Sequence, residues 1–529
     1  MHPLVSAATM SAMDRSTMEE FGLPGRILME TAGREAARIF ASLWPVEKNR
    51  ILILCGSGNN GGDGWVAARY LLGWGADTQV ILAGNPERLS PESRINRELY
   101  EKAGGETRIL ESPGDLSGLA PYIDKAAFFV DALFGIGLDR EVQGLWADLI
   151  RKVNASPAPV FSLDIPSGIA ADTGVILGEA IRAEHTVTFG LAKPGLFLEP
   201  GRSMRGQLHV VDIGIPAQVR RKFPLTLGLP TKSWASDCLP VRRPDSHKGH
   251  FGHILLAAGI PTARGAAVLA AMGALRAGAG LLTLAVPETS LPLPGIPPEA
   301  MVLTLPGDGQ GFSEHAALAL EKALPGKTLL AAGPGMGTGE ASARILRLFL
   351  KTDLPLVLDA DALTLLSLHP DLMASLDTRP ASTVLTPHPG EMARLSGIPV
   401  SRIQQDRITI ARNFSMLHHC HLLLKGAGTL AAEPGGFVRI LTQGNPGMAT
   451  GGSGDVLCGI LAAFMAQGIP VDQASPLAAF VHGMAADLLA STRGPQGFFP
   501  SEVAAEIPAV LARLQKKYPS PPHRSQAFS

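Results

Sequence analysis

ILILCGSGNNGGDGWVAARYLLGWG (51–75) decides how the first half of this chain is read. Ile51 to Leu54 form an unbroken apolar run, the pattern of a strand buried on both faces. The run ends in small and polar residues, and from Trp65 on the apolar spacing becomes that of a helix. Glycines at such a strand-to-helix turn let backbone N–H groups approach a phosphate, and the helix start adds partial positive charge. The same glycines also serve close packing, so the turn alone leaves both readings open. Asn59, Asn60 and Asp63 are polar groups in a loop where packing asks for none.

Working outward, the strand-like runs QVIL (79–82), FFVDA (128–132), VFSLD (160–164), TVTF (186–189) and LHVVD (208–212) recur with helical patterns between them. An amphipathic helix, ILMETAGREAARIFASL (27–43), precedes the first strand. Continuous apolar strands alternating with helices predict a parallel, Rossmann-like sheet covered on both faces. Asp131 and Asp164 sit at the carboxyl ends of later strands, where open α/β sheets place their ligands. By spacing alone Asp164, in LDIPSG, is either a turn former or a general base.

The segment 215–250 changes character, with several prolines and basic residues, and is read as a linker leading into a second domain. Its RRK (220–222) and VRR (241–243) runs read as a solvated face, not a nucleic-acid patch. The expected division is a first domain at 1–217, a linker at 218–234 and a second domain at 235–529. A second alternating series follows: HILLAAG (253–259), LLTLAVP (281–287), TLLAAGPG (328–335), PLVLDADA (355–362), TVLTPHPGE (383–391) and LLLKGAG (422–428). TLAAEPGGFVRILTQG (429–444) reads as a hairpin turning at PGG, and helical stretches at 453–466, 475–490 and 502–515 close the fold. The tail YPSPPHRSQAFS (518–529) is expected to fray. The fold class is α/β, two domains.

Composition narrows the function classes. The chain has 529 residues, 46 basic against 47 acidic, so no electrostatic footprint for nucleic acid shows. With 46% hydrophobic residues, its 59 glycines and 42 prolines do not signal disorder. Cys55, Cys238, Cys420 and Cys458 are scattered with no CxxC pair, against a disulfide framework or zinc ribbon and in favour of a reducing compartment. The start MHPLVSAATMSAMDR lacks the pattern of a signal peptide. Arg276 interrupts the small-residue stretch 265–286, which suits helices on a sheet better than a membrane span. A cytoplasmic protein is expected, as a homo-oligomer, with no nucleic-acid or membrane partner. HHCH (418–421) is read as a strand edge: alternating residues on a strand cannot converge on one ion.

In the second half, NPGMATGGSGDVLCGILAAF (445–464) runs a glycine-rich loop into a helix. Backbone N–H groups at Gly452–Gly454 would form an anion hole beside Asp455, a base at the first helical turn. The plainer alternative is a capped helix whose dipole Asp455 favours. Asp359 and Asp361 either orient magnesium-bound phosphates or cap the next turn.

AGRxxA (32–37), GNNGGDG (58–64), VDALFGIGL (130–138) and SLDIPSGI (162–169) resemble the YjeF N-terminal family, the NAD(P)H-hydrate epimerases, over about 1–215. That resemblance implies a potassium ion held by Asn60, Asp131 and Ser167. It implies contacts to the hydrated dinucleotide from Asn59, Asn60, Gly61, Gly62 and Asp63, from Gly135, Ile136, Gly137, Leu138, Asp139, Arg140 and Glu141, and from Asp164 as the acid/base. HKGxFG (247–252), GAAxLAAxxALRAGAGL (265–281), AGPGxG (332–337), LDADAL (358–363), TPHPGE (386–391), LKGAGT (424–429) and TGGSGDVL (450–457) resemble the ribokinase-like ADP/ATP-dependent NAD(P)H-hydrate dehydratases over about 235–515. This second resemblance implies nucleotide contacts from Lys425, Gly426, Ala427, Gly428, Thr429 and Gly454. Hydrated dinucleotide would touch Ala266, Gly335 or Gly337, His388 and Asp455, the catalytic base, and Mg2+ would accompany ADP.

Two departures stand out. Thr364 follows LDADAL where the family tends to asparagine, and Pro500 and Glu502 replace an alanine and an aspartate. The expected function is bifunctional repair: epimerisation of R and S NADHX and NADPHX, and dehydration of the S form with ADP or ATP. Its rivals are a small-molecule kinase sharing GSGD and a non-catalytic N-terminal module.

Overall fold

The structure is a computed structural model, and it describes residues 1–515. The chain divides into two compact units, Pro3–Leu227 and Gly228–Ser529, the second also taking Met1–His2. The stretch 218–234 is not featureless: it holds the end of a short helix, the strand Leu227–Leu229 and the start of the helix Lys232–Cys238.

After a short strand β1 (His2–Leu4), the first unit contributes β2 (Arg50–Cys55), β3 (Asp77–Ala83), β4 (Glu106–Leu110), β5 (Phe128–Ala132), β6 (Val160–Leu163), β7 (His185–Phe189) and β8 (Gln207–Val211). They form one parallel sheet in the order β4-β3-β2-β5-β6-β7-β8. The chain winds outward from β2 to one side, then restarts at β5 and winds to the other. The order therefore reverses between β2 and β5, and a crevice opens outside their carboxyl ends. Core residues pack on both faces: Ile51, Ile53 and Val130 lie in one cluster, Leu52, Leu54 and Phe129 in the other.

The second unit contributes β9 (Leu227–Leu229), β10 (His253–Ala257), β11 (Leu281–Pro287), β12 (Met301–Leu305), β13 (Leu329–Ala332), β14 (Leu356–Leu358), β15 (Thr383–Leu385), β16 (His421–Leu424), β17 (Thr429–Ala432) and β18 (Val438–Leu441). Its sheet runs β1-β9-β18-β17-β16-β15-β14-β13-β10-β11-β12. The stretch β12 to β16 is parallel, and β17 and β18 form the predicted antiparallel hairpin. Here the reversal falls between β10 and β13. The closing helices are Ser453–Ala466, Val471–Arg493 and Pro500–Gln515. The tail 518–529 lies outside the described residues.

Two expectations are corrected. GNNGGDG is not a loop before the helix: the helix starts at Asn59 and runs to Gly73. Gly61 and Gly62 are what permits this. A Cβ on Gly61 would lie 1.9 Å from the Gly56 carbonyl oxygen, and one on Gly62 would meet Met29 at 2.5 Å. Close packing overrides the low helix propensity of glycine. HHCH is likewise not a strand edge. His418 caps the helix Arg407–Leu417, His419 takes a left-handed backbone (φ 48°), and only His421 enters β16. The His418 ring pairs with Asp377 at 2.7 Å.

Candidate active sites

In the first unit a cavity of about 930 Å³ occupies the crevice at the sheet reversal. Asn59, Asn60 and Asp63 enter it from the first turns after β2, the loop Gly135–Glu141 from β5, Asp164 from β6 and Lys193 from beyond β7. Gly61 and Gly62, expected at the substrate, are buried where the helix start packs on Gly56 and Met29 and are not among the residues lining this cavity.

Asp164 lies just past β6 with φ 63°, a conformation rare for any residue but glycine, though Asp tolerates it better than most. The turn aims its carboxylate along the crevice. Lys193 Nζ donates to Oδ1 at 2.6 Å, and the Ile136 amide donates to Oδ2 at 3.2 Å. Lys193 is only 1% exposed and also donates to the Thr188 hydroxyl and the Phe189 carbonyl. A buried cation is tolerated when so paired. Gly135 approaches closely: a Cβ there would sit 3.0 Å from Asp164 Oδ2 and 3.3 Å from the Asn60 Cβ.

Asp131 is fully buried and accepts four hydrogen bonds, from Ser162 Oγ, from Ser167 N and Oγ, and from Leu133 N. Burial pushes its carboxyl upward, against the pull of these donors. The Ser167 hydroxyl accepts from Phe134 N at 2.9 Å. Asn60 presents both its amide oxygen and nitrogen buried, with no protein partner among the described residues.

The second site gathers at the carboxyl ends of β10 and β13 to β16. Asp359, after β14, is 1% exposed and accepts from Lys425 Nζ at 2.7 Å. It is followed by Ala360 at φ 48°, a strained turn of the kind that collects at functional sites. Asp361 accepts from the Gly337 amide at 2.9 Å, so it fastens the glycine turn after β13. Glu391 lies 3.7 Å from Lys425 Nζ and accepts from the His388 amide. For Lys425, burial alone would favour the neutral amine, yet the carboxylates of Asp359 and Glu391 outweigh it and hold the ammonium above its usual range.

Asp455 stands in the first turn of the helix Ser453–Ala466, entered through Gly452 at φ 94°. Burial, then the charge of Asp359, push its carboxyl up to about 7, while Lys425 pulls the other way. A Cβ on Gly454 would lie 3.3 Å from Lys425 Nζ, so the loop, the lysine and Asp359 meet at one point. The first N–H groups of this helix lack intrahelical partners and form an anion-binding end.

Among other expected residues, Ala266 meets Gly335, whose added Cβ would lie 3.3 Å from it. His388 caps its helix: Nδ1 accepts from the Gly390 and Glu391 amides, and half the side chain stays exposed. Gly426 and Gly428 take positive φ in the loop from Lys425 to Thr429. That loop is held by Arg407, buried, which donates to the carbonyls of Leu424, Lys425 and Ala427. Thr364 lies within the helix Asp361–Leu368. Glu502 pairs with Arg493 and accepts from the Phe499 amide, a packing role at the helix start.

Sequence reasoning missed Lys193, Asp14 and Arg407. Lys193 had one usable signal, a lysine two residues beyond Leu191 in GLAKPG at a strand end. The other two sit inside ordinary helical patterns.

These are two open α/β sheets, each presenting a paired lysine and carboxylate beyond the carboxyl ends of its strands, and together they define a two-site α/β enzyme whose second half is ribokinase-like. Comparison with known proteins agrees. The family model for the YjeF-related protein N-terminus matches residues 25–195, and that for NAD(P)H-hydrate dehydratase matches residues 254–509. A bifunctional NAD(P)H-hydrate repair enzyme Nnr from Moorella thermoacetica is 40% identical, with 97% of each chain covered. The Nnr of Thermofilum pendens is 36% identical over 96% of each. A crystal structure of an ADP/ATP-dependent NAD(P)H-hydrate dehydratase from Bacillus subtilis, co-crystallized with ATP/Mg2+, is 29% identical with a TM-score of 0.47, covering 54% of this chain and 98% of its own. The chain belongs to the bifunctional NAD(P)H-hydrate repair enzymes, with NAD(P)H-hydrate epimerase and NAD(P)H-hydrate dehydratase activities. No helix among the described residues is long and apolar enough to cross a membrane.

Proposed function

We propose that Asp455 is the base of a dehydration that consumes ADP and yields AMP and phosphate, and that Asp164 is the acid/base of the epimerisation. The observation that carries the reading is the meeting of Asp455, Lys425 and the glycine amides at one helix start. A carboxyl titrating near 7 can take a hydroxyl proton at neutral pH. The hydroxyl oxygen of the hydrate then attacks the terminal phosphorus of the nucleotide, and AMP departs. The amides of the Gly452–Gly454 turn and the Lys425 ammonium balance charge on the transferring group. The phosphate ester next leaves with the C–O electron pair as a proton comes off the neighbouring ring carbon, restoring the double bond. Lys425–Thr429 and Gly454 take the nucleotide in this reading, and Ala266, the Gly335–Gly337 turn and His388 the hydrated dinucleotide.

Mg2+ fits the second site because Asp359 turns one oxygen to Lys425 and keeps another toward the Gly454 loop. Such an ion takes one or two carboxylates plus phosphate oxygens and would neutralise phosphate charge. K+ fits the first site: the orphaned Asn60 amide oxygen, the buried Asp131 carboxylate and the Ser167 hydroxyl are hard oxygen donors. It would supply a fixed positive charge beside the Asn59–Asp63 and Gly135–Glu141 contacts to the dinucleotide. The remaining partners are NADHX, NADPHX and ADP or ATP, for a homo-oligomer in the cytoplasm.

The test is incubation of purified protein with mixed hydrates plus ADP or ATP, following absorbance of reduced nicotinamide and release of phosphate. Asp455→Asn is expected to lose about 10²-fold or more of NADH recovery while nucleotide binding stays within a few-fold. Undiminished recovery removes Asp455 as the base. A stable phosphorylated product without NADH would make the second unit a kinase.

A further inference from the structure

The epimerase cavity holds a carboxyl that the reading above leaves idle. Asp14 lies on the helix Ala7–Glu19 and lines the same cavity as Asp164 and Lys193. Its Oδ1 is sealed from solvent and has no hydrogen-bond partner among the described residues. Capping, turn formation and ion pairing within the fold do not account for an oxygen left in that state, because buried polar atoms are almost always satisfied. Its neighbours in charge are Lys193, which favours the ionised form, Asp164, which opposes it, and Asp63, whose own buried carboxyl is held well above the usual range by burial, Asp164 and Asp14.

Inverting a hydroxyl-bearing ring carbon requires handling two protons. The carbon sits beside the ring nitrogen, whose lone pair can expel the hydroxyl and leave a flat carbon. The hydroxyl must collect a proton to depart as water. A water adding to the opposite face must give one up. One carboxylate at one face serves only half of this.

We propose that Asp14 is the second proton-handling carboxyl of the epimerase: it gives its proton to the hydroxyl leaving one face of the ring, while Asp164 takes a proton from the water adding to the other. The C–O bond breaks with its electron pair on oxygen, a new C–O bond forms from water, and one proton passes from Asp14 to Asp164. The reverse epimerisation returns it, so a single proton shared by the two carboxyls serves both directions. Burial, the leading influence, pushes the Asp14 carboxyl up to about 6, which places it where giving and taking a proton are both feasible near neutrality. Lys193, bonded to Asp164, keeps the pair from bearing two uncompensated charges in a buried site.

This inference rests on the reading of Asp164 as acid/base, and one assay separates the two. Purified R-NADHX is given to the full chain with saturating ADP or ATP, and NADH appearance reports epimerisation because the second unit consumes the S form. The rate from S-NADHX is the internal control and is expected to stay at the wild-type level. Asp14→Asn is expected to lower kcat from the R form by about 10²-fold with KM changed less than about threefold. Asp14→Glu, which keeps a transferable proton, is expected to retain at least a tenth of the rate. An Asp14→Asn enzyme with wild-type kcat, a loss confined to KM, or equal losses in the Asn and Glu variants would each overturn the assignment. Wild-type epimerisation by Asp164→Asn would instead remove the premise.

Discussion

Asp455 shows how much one side chain's surroundings decide. It is a carboxylate at a helix N-terminus, where the dipole alone would favour its charge. Burial and the adjacent Asp359 win, and its carboxyl is raised from 3.8 to about 7. Two consequences follow with definite signs. As a base it must be ionised, so the dehydratase rate should climb with pH through about 7. In Lys425→Met the climb should move to higher pH, because the cation that favours the ionised form is gone. For stability, the folded state binds the Asp455 proton more tightly than the unfolded state does. The contribution is fully present below the unfolded value near 3.8 and is lost as pH rises through about 7. Asp455→Asn escapes that loss. Relative to wild type it should gain stability between pH 5 and 8, by about 3 kcal/mol for the two pH units from 5 to about 7 at about 1.4 kcal/mol per unit. Denaturant melts at the two pH values measure it, and equal midpoint differences at both would refute the linkage.

At the scale of elements, the second site depends on how closely two helices approach. Arg264–Arg276 and Ser453–Ala466 are rich in small residues, and their backbones touch. A Cβ on Gly459 would lie 2.0 Å from the Ala270 carbonyl oxygen, and one on Gly273 would lie 2.3 Å from that of Val456. Neither clash is with a flexible side chain, so the helices must part. Asp455 and Gly454 ride on the first turn of the displaced helix, and a shift near 1 Å at a reacting group costs about 10²-fold. Gly459→Ala is therefore expected to destabilise the second unit by about 1–3 kcal/mol and to cut dehydration at least tenfold, with epimerisation unchanged. Thermal melts and the R- and S-hydrate assays check both halves. The small-residue pattern was legible in the sequence, as were the strands buried on both faces, from β2 to β16. Of the edge strands, β8 was legible as LHVVD, but Glu106–Leu110 and Met301–Leu305 were not: both lie largely exposed, and Glu106–Leu110 mixes polar with apolar residues. Carboxylates at strand ends were legible for the same topological reason that makes them useful. Lys193 and Arg407 were not, because their partners are chosen by the fold and lie 29 and 17 to 20 residues away along the chain, and Asp14 was not, because only the fold brings it to the cavity of Asp164 and Lys193.

For the whole molecule, the division into two compact units has a thermodynamic meaning. Each unit has its own apolar clusters, so loss of one core need not melt the other. Phe40 tests this in the first unit. It is 1% exposed and sits edge-on to Trp44, Phe128 and Phe161, with ring centroids 5.0, 5.6 and 5.6 Å away. Those rings lie on or beside β5 and β6, the strands that carry Asp131 and end just before Asp164. Phe40→Ala removes the shared ring and should cost about 3–5 kcal/mol. In calorimetry the expected result is one transition moved down by several degrees with a second left in place. Function should divide along the same line. Given a mixture of hydrates and nucleotide, the variant should convert the S fraction at the wild-type rate and then stall, the R fraction draining only as fast as it epimerises unaided. A single transition moving as a whole, or S-form dehydration failing together with epimerisation, would show the two cores to be one cooperative system.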